Sequence, residues 1–278
     1  MNMKKLFILC ISIIPLLIFG TEKMEPICTV AGELNKLHGH LQGACASDDA
    51  IYFGYPFGIF KLDWQGKVVK HVSAPNHTGD VCFYNGKVYS SVAYYDKKRA
   101  GKGAIKEYSA DLKELRTYEL DYPCDGITVF NGFIYAGIGP APQKAHRGNR
   151  IIKISADFTG KPEIINIDHG YHTHFGVQGM TADDQNIYMC FYGAQDPAVK
   201  RKQKNIKDFA VYSKDFKLLN TLVFSGSIGF GILPPKFKSE NPQFFRVKAL
   251  YNYRKKETPR FRLDFFEYVN GKMVKISK

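Results

Sequence analysis

The chain has 278 residues, of which 45% are hydrophobic, 14% aromatic and 23% charged. This length and apolar content are enough for a hydrophobic core, which excludes intrinsic disorder and a miniprotein held only by disulfides. The 39 Lys and Arg residues against 26 Asp and Glu give a net charge of +13, which favours an anionic partner. The 25 glycines, 13 prolines, 21 phenylalanines and 17 tyrosines are typical of strands and turns rather than of helical bundles.

The first twenty residues have the pattern of a secretory signal peptide. Lys4 and Lys5 give a basic start, residues 6–19 are apolar apart from one serine and one proline, and Gly20 ends the run. The alternative is an uncleaved membrane anchor, but this run is shorter than the roughly 20 residues that a bilayer requires. We therefore predict export to the periplasm or the extracellular space, with no stable membrane span after cleavage.

Five cysteines remain once the segment 1–20 is removed: Cys28, Cys45, Cys82, Cys124 and Cys190. Because five is odd, at least one thiol stays free or pairs between chains. None of them has CxxC spacing, so the sequence predicts no thiolate metal site. Burial as small apolar side chains is the expectation for most of them.

The rest of the chain repeats a pattern of strand, tight turn and second strand. Its four clear copies have an Ile-Tyr or Val-Tyr pair at the start of the second strand, at Tyr52, Tyr89, Tyr135 and Tyr188. Two of the turns are Asn-Gly pairs, Asn85-Gly86 and Asn131-Gly132. Asn-Gly between apolar runs indicates a β-hairpin, because both central positions need a positive φ.

A second hairpin pattern follows each copy of the first, over residues 59–69, 105–115, 151–161, 209–219 and 265–274. One full repeat is therefore four antiparallel strands. The fifth copy of the first pattern is assigned to residues 229–233 and 244–252, with a longer loop between them.

Four-stranded repeats of this length without intervening helices resemble the blades of a β-propeller. The resemblance implies an all-β fold, a single five-bladed propeller over residues 21–278, and a monomer. The blades are expected at about residues 38–73, 76–120, 123–168, 172–225 and 227–278. A two-sheet sandwich is the structural alternative, and the regular repetition argues against it.

The stretch Leu41-Gln42-Gly43-Ala44 is similar to the Thr-Gln-Gly-Leu stretch of the propeller-type glutaminyl cyclases, which also have five blades. The chain lacks the Glu-bearing repeats expected in that family. The resemblance therefore implies the fold, and the cyclase activity is not carried over.

The innermost strand of each propeller blade begins at one face, beside the central channel, so the residues before the aligned tyrosines occupy the channel entrance. The residues twelve positions before these tyrosines are His40, His77, Pro123 and Gly176. Those ten positions before are Gln42, Gly79, Asp125 and Gln178. Those nine positions before are Gly43, Asp80, Gly126 and Gly179. Small residues let the backbones approach the axis, while the polar ones place hydrogen-bonding groups in the entrance.

Six of the eight histidines lie near these strand starts: His38, His40, His77, His169, His172 and His174. Histidines that cap loops are the structural alternative, but equivalent positions in adjacent blades favour a common site. We predict that His40, His77 and His174 are catalytic and that Gln42, Asp80, Asp125, His172 and Gln178 bind substrate.

Two chemistries suit such a site. His40, His77, Asp80 and His174 are candidate ligands of a divalent metal ion, which would polarise a substrate oxygen. Alternatively, one histidine acts as general base and another group as acid, since imidazole titrates near neutral pH. The sequence has no Gly-x-Ser-x-Gly, P-loop or His-Glu-x-x-His motif, so serine hydrolases, P-loop enzymes and zincins gain no support.

Four loops that join second and third strands share this face: residues 96–103, 139–150, 194–208 and 251–262. Together they contain seventeen basic and four acidic residues, which equals the whole net charge of the chain. The rim residues predicted to bind substrate are Lys97, Arg99, Arg147, Lys200, Arg201, Lys202, Arg254 and Lys255. A solvated basic surface is the alternative, but converging loops would focus a positive potential on the channel.

These features predict an exported propeller that binds an anionic polysaccharide, and they leave open whether it also cleaves that glycan as a hydrolase or lyase. Export and a concave site favour an acidic or sulfated glycan over nucleic acid. The alternative is a non-catalytic scaffold that binds a glycan or a protein, since propellers host both functions.

Overall fold

The computed structural model describes residues 40–74, 77–139, 149–167, 176–192, 207–224, 229–237, 239–249 and 261–276. Twenty β-strands in these ranges form five four-stranded sheets, and within each sheet the strands are neighbours in chain order. All the pairings are antiparallel, so every sheet is an up-and-down meander. The chain is a five-bladed β-propeller, as the repeats predicted.

The strands of the five blades have the following bounds. Blade 1 contains β1 (Gly43–Ala46), β2 (Ile51–Tyr55), β3 (Gly58–Leu62) and β4 (Val68–Ser73). Blade 2 contains β5 (His77–Tyr84), β6 (Lys87–Ala93), β7 (Gly103–Ser109) and β8 (Glu114–Leu120). Blade 3 contains β9 (Cys124–Phe130), β10 (Phe133–Ile138), β11 (Asn149–Ser155) and β12 (Glu163–Ile167). Blade 4 contains β13 (Gly176–Ala182), β14 (Asn186–Tyr192), β15 (Phe209–Ser213) and β16 (Leu218–Leu222). Blade 5 contains β17 (Phe230–Ile232), β18 (Gln243–Ala249), β19 (Phe261–Val269) and β20 (Lys272–Ile276).

The turns have the backbone geometry that their residues predict. Asn85 and Gly86 have φ values of 47° and 73°, and Asn131 and Gly132 have values of 49° and 75°. Positive φ at both central positions matches the right-handed twist of the flanking strands. In blade 5 the longer connection between β17 and β18 contains a short 3-10 helix, Pro235–Phe237.

The core lies between the blades, where aromatic side chains of one sheet pack on the next. Tyr52 of blade 1 stacks on Phe83 of blade 2, with ring centroids 5.7 Å apart. Tyr188 of blade 4 meets Phe244 of blade 5 edge to face at 4.7 Å. The ring closes where Phe53 of blade 1 packs against Phe261 of blade 5, at 5.3 Å.

The four cysteines within the described ranges, Cys45, Cys82, Cys124 and Cys190, are buried free thiols. This agrees with the expectation that they pack as small apolar residues. Cys28 lies outside the described residues. No helix in the described part of the chain is long and apolar enough to cross a membrane, and the predicted signal peptide lies outside that part.

Candidate functional site

The inner strands of blades 2, 3 and 4 are irregular at the same level. In β5, Gly79 and Asp80 together oppose one residue of the neighbouring strand, and in β9 Asp125 and Gly126 do the same. In β13 the extra residue is Gln178. Such bulges bend a strand and re-aim its side chains, and they are common beside functional sites. Gly79 and Gly126 let neighbouring inner strands approach here, since a Cβ atom on Gly79 would lie 3.0 Å from Asp125 Cα and one on Gly126 3.0 Å from Gly179 N.

Asp125 is the central acidic group of the channel entrance. Its Oδ2 atom accepts a hydrogen bond of 2.8 Å from Gln178 Nε2, which joins blades 3 and 4. Its Oδ1 atom is buried and has no hydrogen-bond partner among the described residues. Since the residue is only 9% exposed, an unpaired carboxyl oxygen here is costly unless a ligand or water satisfies it.

His77, the first residue of β5, lies beside this carboxyl group. Its Nε2 atom is 4.0 Å from Asp125 Oδ1, which is an electrostatic contact and too long for a hydrogen bond. The imidazole also meets the ring of Tyr95 edge to face, with centroids 5.1 Å apart. Tyr95 is 61% exposed, so an aromatic surface stands open next to the His77–Asp125 pair.

His40 and Gln42 complete the group from blade 1. Gln42 Nε2 lies 3.1 Å from His40 Nε2. An amide nitrogen can only donate, so this hydrogen bond requires His40 to be neutral with its proton on Nδ1. We call His40, Gln42, His77, Tyr95, Asp125 and Gln178 the histidine mouth.

Burial favours the uncharged forms of the titratable side chains in the histidine mouth. It lowers the pKa of His40, and the neighbouring His77 lowers it further. It also lowers the pKa of His77, an effect that the Asp125 carboxylate opposes. Burial raises the pKa of Asp125, which His77 and the Gln178 hydrogen bond counteract. The Asp125 and His77 pKa values therefore move towards each other, which suits a pair that exchanges protons with a bound ligand.

The carboxyl group of Asp80 is bound by backbone amides inside the propeller. Its Oδ1 atom accepts a hydrogen bond from Val81 N at 2.9 Å. Its Oδ2 atom accepts from Ile127 N at 3.3 Å and from Met180 N at 2.8 Å. Burial raises the pKa of this carboxyl group, and the three N–H donors oppose the rise. Asp80 therefore lies at the propeller axis. Its roles in binding substrate or a metal ion stay predictions.

Of the eight predicted rim residues the structure describes two, Lys97 and Arg99, in the loop between β6 and β7. Lys97 is exposed there. Arg99 donates from Nε to Asp96 Oδ2 at 3.0 Å, and its guanidinium lies 3.7 Å from the ring centroid of Tyr94. The charge of Arg99 is therefore partly neutralised by Asp96 within the loop. The other predicted rim residues lie outside the described residues: Arg147, Lys200, Arg201, Lys202, Arg254 and Lys255.

The structure thus brings together His40, Gln42, His77, Asp125 and Gln178, from four blades. The predicted site residues His172 and His174 lie outside the described residues. Within the described ranges, no three His, Cys, Asp or Glu side chains are placed to hold a metal ion. The divalent metal site that includes His174 stays a prediction.

The sequence analysis missed Tyr95. This residue lies in the loop after β6, outside the hairpin pattern on which the repeats were aligned. The adjacent aromatic pair Tyr94-Tyr95, at the start of a basic loop, was the available signal. Only the three-dimensional contact with His77 distinguishes the exposed Tyr95 from the buried Tyr94.

No family model matches the chain, and no curated protein matches it in sequence. Solved structures do match. A glutaminyl cyclase of Myxococcus xanthus is 10% identical, with a TM-score of 0.56 over 86% of this chain and 93% of that one. The GH43_1 enzyme of Xanthomonas citri complexed with xylose is 11% identical, with a TM-score of 0.52 over 91% and 93%. An alpha-L-arabinofuranosidase of Lactobacillus brevis is 11% identical, with a TM-score of 0.50 over 84% and 93%. At these identities the likeness shows the fold alone.

Proposed function

We propose that the protein is an exported, carbohydrate-active propeller whose histidine mouth binds an anionic polysaccharide. The observation that carries the proposal is the Oδ1 atom of Asp125, a buried acceptor for which the described residues provide no donor, at the end of the central channel. In this proposal a sugar hydroxyl donates to that oxygen. The amide of Gln178, bound to the other oxygen of the same carboxyl group, and that of Gln42, bound to His40, offer further polar groups that orient a hydroxylated ring.

Tyr95 supports a sugar as the ligand. Its exposed ring stands next to His77 and Asp125. An aromatic face packs against the apolar C–H face of a pyranose while the carboxyl group bonds the hydroxyls. Sites that combine a few convergent polar groups with an aromatic wall are the usual form of small-ligand pockets.

The charge of the chain favours an acidic glycan. The four loops at this face contain seventeen basic residues. In this proposal the rim binds carboxylate or sulfate groups, while the mouth binds the hydroxyls of one sugar ring. This division keeps the anionic groups of the polymer away from Asp125, which would repel them when ionised.

The structural neighbours support a carbohydrate-active role at the level of shared architecture. Two of them are described as a xylose complex and an arabinofuranosidase. The predicted signal peptide supports export of the protein. Export would bring the protein to polysaccharides outside the cytoplasm.

Cleavage of the bound glycan is a second candidate function, favoured by the Asp125–His77 pair. Burial moves the pKa values of the two groups towards each other. One of them can donate a proton to a leaving oxygen while the other accepts one, as both hydrolysis and elimination require. A scaffold that only binds has no need of this arrangement.

Titration calorimetry with size-matched oligosaccharides tests the binding proposal. Oligogalacturonates and heparin oligosaccharides serve as anionic probes, and neutral xylo-oligosaccharides as the control. We expect the anionic probes to bind and the neutral ones to bind much more weakly. Equal, salt-independent binding of the neutral probes would contradict the proposal, and tighter binding of a single-stranded DNA of equal charge would favour nucleic acid.

Chain cleavage is tested separately on any polymer that binds. Reducing-end release and absorbance of unsaturated products distinguish hydrolysis from elimination. His77→Ala and His174→Ala are expected to lose turnover while binding at the rim persists. Unchanged turnover in His77→Ala would remove the mouth from the chemistry.

A further inference from the structure

We propose that Asp80 is the positioning residue of the histidine mouth: its carboxylate, at the propeller axis, fixes the two bulges that present Asp125 and Gln178. The consequence for glycan binding rests on the proposed function. The consequence for the geometry of the mouth does not, because it follows from the contacts of Asp80 alone.

The carboxyl group of Asp80 connects three blades through backbone amides. It accepts hydrogen bonds from Val81 N in blade 2, Ile127 N in blade 3 and Met180 N in blade 4, at 2.9, 3.3 and 2.8 Å. With 1% exposure, the group is shielded from water, and hydrogen bonds to a buried carboxyl group are among the stronger ones in proteins.

Two of these amides stand directly after the bulges of the mouth. Ile127 follows Asp125 by two residues and is the first residue of β9 that pairs regularly again, opposite Ala136. Met180 follows Gln178 by two residues and pairs regularly in β13. Asp80 therefore holds the two strands at the points where their bulges end. We therefore expect movement of these amides to disturb the 2.8 Å bond between Gln178 and Asp125.

A glycine in blade 1 leaves the space that Asp80 fills. The residues aligned with Asp80 are Gly43, Gly126 and Gly179. A Cβ atom on Gly43 would lie 2.1 Å from Asp80 Oδ1, so a larger residue at position 43 is not accommodated without movement of Asp80. A Cβ atom on Gly126 would lie 3.0 Å from Gly179 N, so the backbones of blades 3 and 4 approach each other closely at the same level.

Ser91 of blade 2 adds a second link between Asp80 and the mouth. Its hydroxyl lies 3.3 Å from the carbonyl oxygen of Asp80 and also contacts the carbonyl oxygen of Asp125. The main chain of the two aspartates is therefore braced by one side chain. This contact positions the Asp125 bulge relative to β5, whichever ligand the mouth takes.

Asp80→Asn tests the role with the smallest change of shape. An amide replaces one acceptor oxygen by a donor, so at least one backbone N–H in the axis loses its acceptor. We expect the side-chain amide protons of Gln178, protected by Asp125 in the wild type, to exchange about tenfold faster or more, as for the loss of one buried hydrogen bond.

The matched control is Asp264→Asn. Asp264 is buried to a similar degree, at 3% exposure, but its carboxylate is bound by Arg246, Arg262 and Lys275 in blade 5. Both variants remove a buried carboxylate, so a general loss of stability affects both. Only Asp80→Asn is expected to change the exchange of Gln178 and the ring signals of His77. Affinity for an oligogalacturonate should fall in parallel.

Native-state hydrogen exchange of the wild type keeps the proposal testable if Asp80→Asn does not fold. The amides of Ile127 and Met180 and the side-chain amide of Gln178 should exchange through one common opening. Opening of the Gln178 amide independently of the two backbone amides would overturn the proposal. So would a folded Asp80→Asn variant with wild-type Gln178 exchange. If the wild type binds no anionic oligosaccharide but these exchange results hold, the proposed function fails and the positioning role stands.

Discussion

The two ends of the central channel differ although the same inner strands build both. The histidine mouth contains two histidines and Asp125, and its polar residues in blades 3 and 4 sit on bulges. At the other end lies a cavity of about 290 Å³, which we call the opposite cavity. Its wall includes Cys45, Cys82, Thr128 and Thr181, each paired regularly with the aligned tyrosine of its blade.

The comparison indicates where the fold places its chemistry. Regular pairing at the opposite cavity presents Cys and Thr side chains, and its wall within the described residues contains the acidic residues Asp183 and Asp184 but no Lys, Arg or His. At the mouth, departure from regular pairing brings residues of several blades into contact. Asp80 lies between the mouth and the opposite cavity, because it accepts hydrogen bonds from Ile127 N and Met180 N. In their strands these two residues lie between the bulge residues of the mouth, Asp125 and Gln178, and the cavity residues Thr128 and Thr181.

The largest expected effect comes from paired substitutions at the two ends. Asp125→Asn removes the unpaired carboxylate oxygen and should weaken binding of an oligogalacturonate by about 10- to 100-fold, the usual range for a hydrogen bond to a charged group. Thr128→Val, an equally small change in the opposite cavity, should leave the affinity unchanged. Calorimetry on both variants measures the difference, and a stronger effect of Thr128→Val would reverse the comparison.

A change of the rim tests whether charge guides the ligand to the mouth. Replacing Lys200, Arg201 and Lys202 together by Glu should slow association about tenfold or more at low salt, because rim charges mainly steer encounter. Dissociation should change less. The effect should shrink at physiological ionic strength, where the screening length is about 8 Å. Stopped-flow kinetics at two salt concentrations decide this, and salt-independent association would leave the basic loops as solvated surface.

Removal of the exposed Tyr95 ring should have a moderate effect on the affinity for the oligosaccharide. Tyr95→Ala deletes the exposed ring beside His77 and should weaken binding by about tenfold, the value of one good aromatic contact. Phe133, a partly exposed aromatic residue at the start of β10, provides the matched control. Binding that survives Tyr95→Ala but falls in Phe133→Ala would place the ligand elsewhere.

The smallest expected effect is on the pH dependence of stability. The pKa of His40 is lowered from 6.5 by burial and by His77, so below pH 6.5 the unfolded chain binds more protons than the folded one. The free energy of unfolding therefore falls as the pH falls from 7 to 5. His40→Gln should make this slope shallower in urea titrations. An unchanged slope in His40→Gln would mean that the imidazole is solvated.

The repeats were sufficient to predict the five blades and most of the mouth. Alignment on four tyrosines placed His40, His77, Asp125 and Gln178 together because each blade repeats one backbone path. The same alignment grouped Asp80 with Asp125, although they lie nine and ten positions before their tyrosines and adjacent positions in a regular strand point to opposite sides. The bulges that set the direction of each carboxyl group have no signal in the repeat pattern.

Contacts between blades were beyond the sequence pattern. The Gln178–Asp125 bond joins residues 53 positions apart, and the Tyr95–His77 contact depends on the path of one loop. Neither follows from periodicity, which reports only how a single strand or hairpin is patterned.

The most direct test of the account is an NMR titration of isotope-labelled protein with an oligogalacturonate. The account predicts that the ring signals of His40 and His77 and the side-chain signals of Gln42 and Gln178 move and saturate together, while those of Thr128 and Thr181 stay in place. Saturating shifts at Thr128 and Thr181 with an undisturbed His77 would show that the ligand enters from the opposite cavity, and would contradict the central claim.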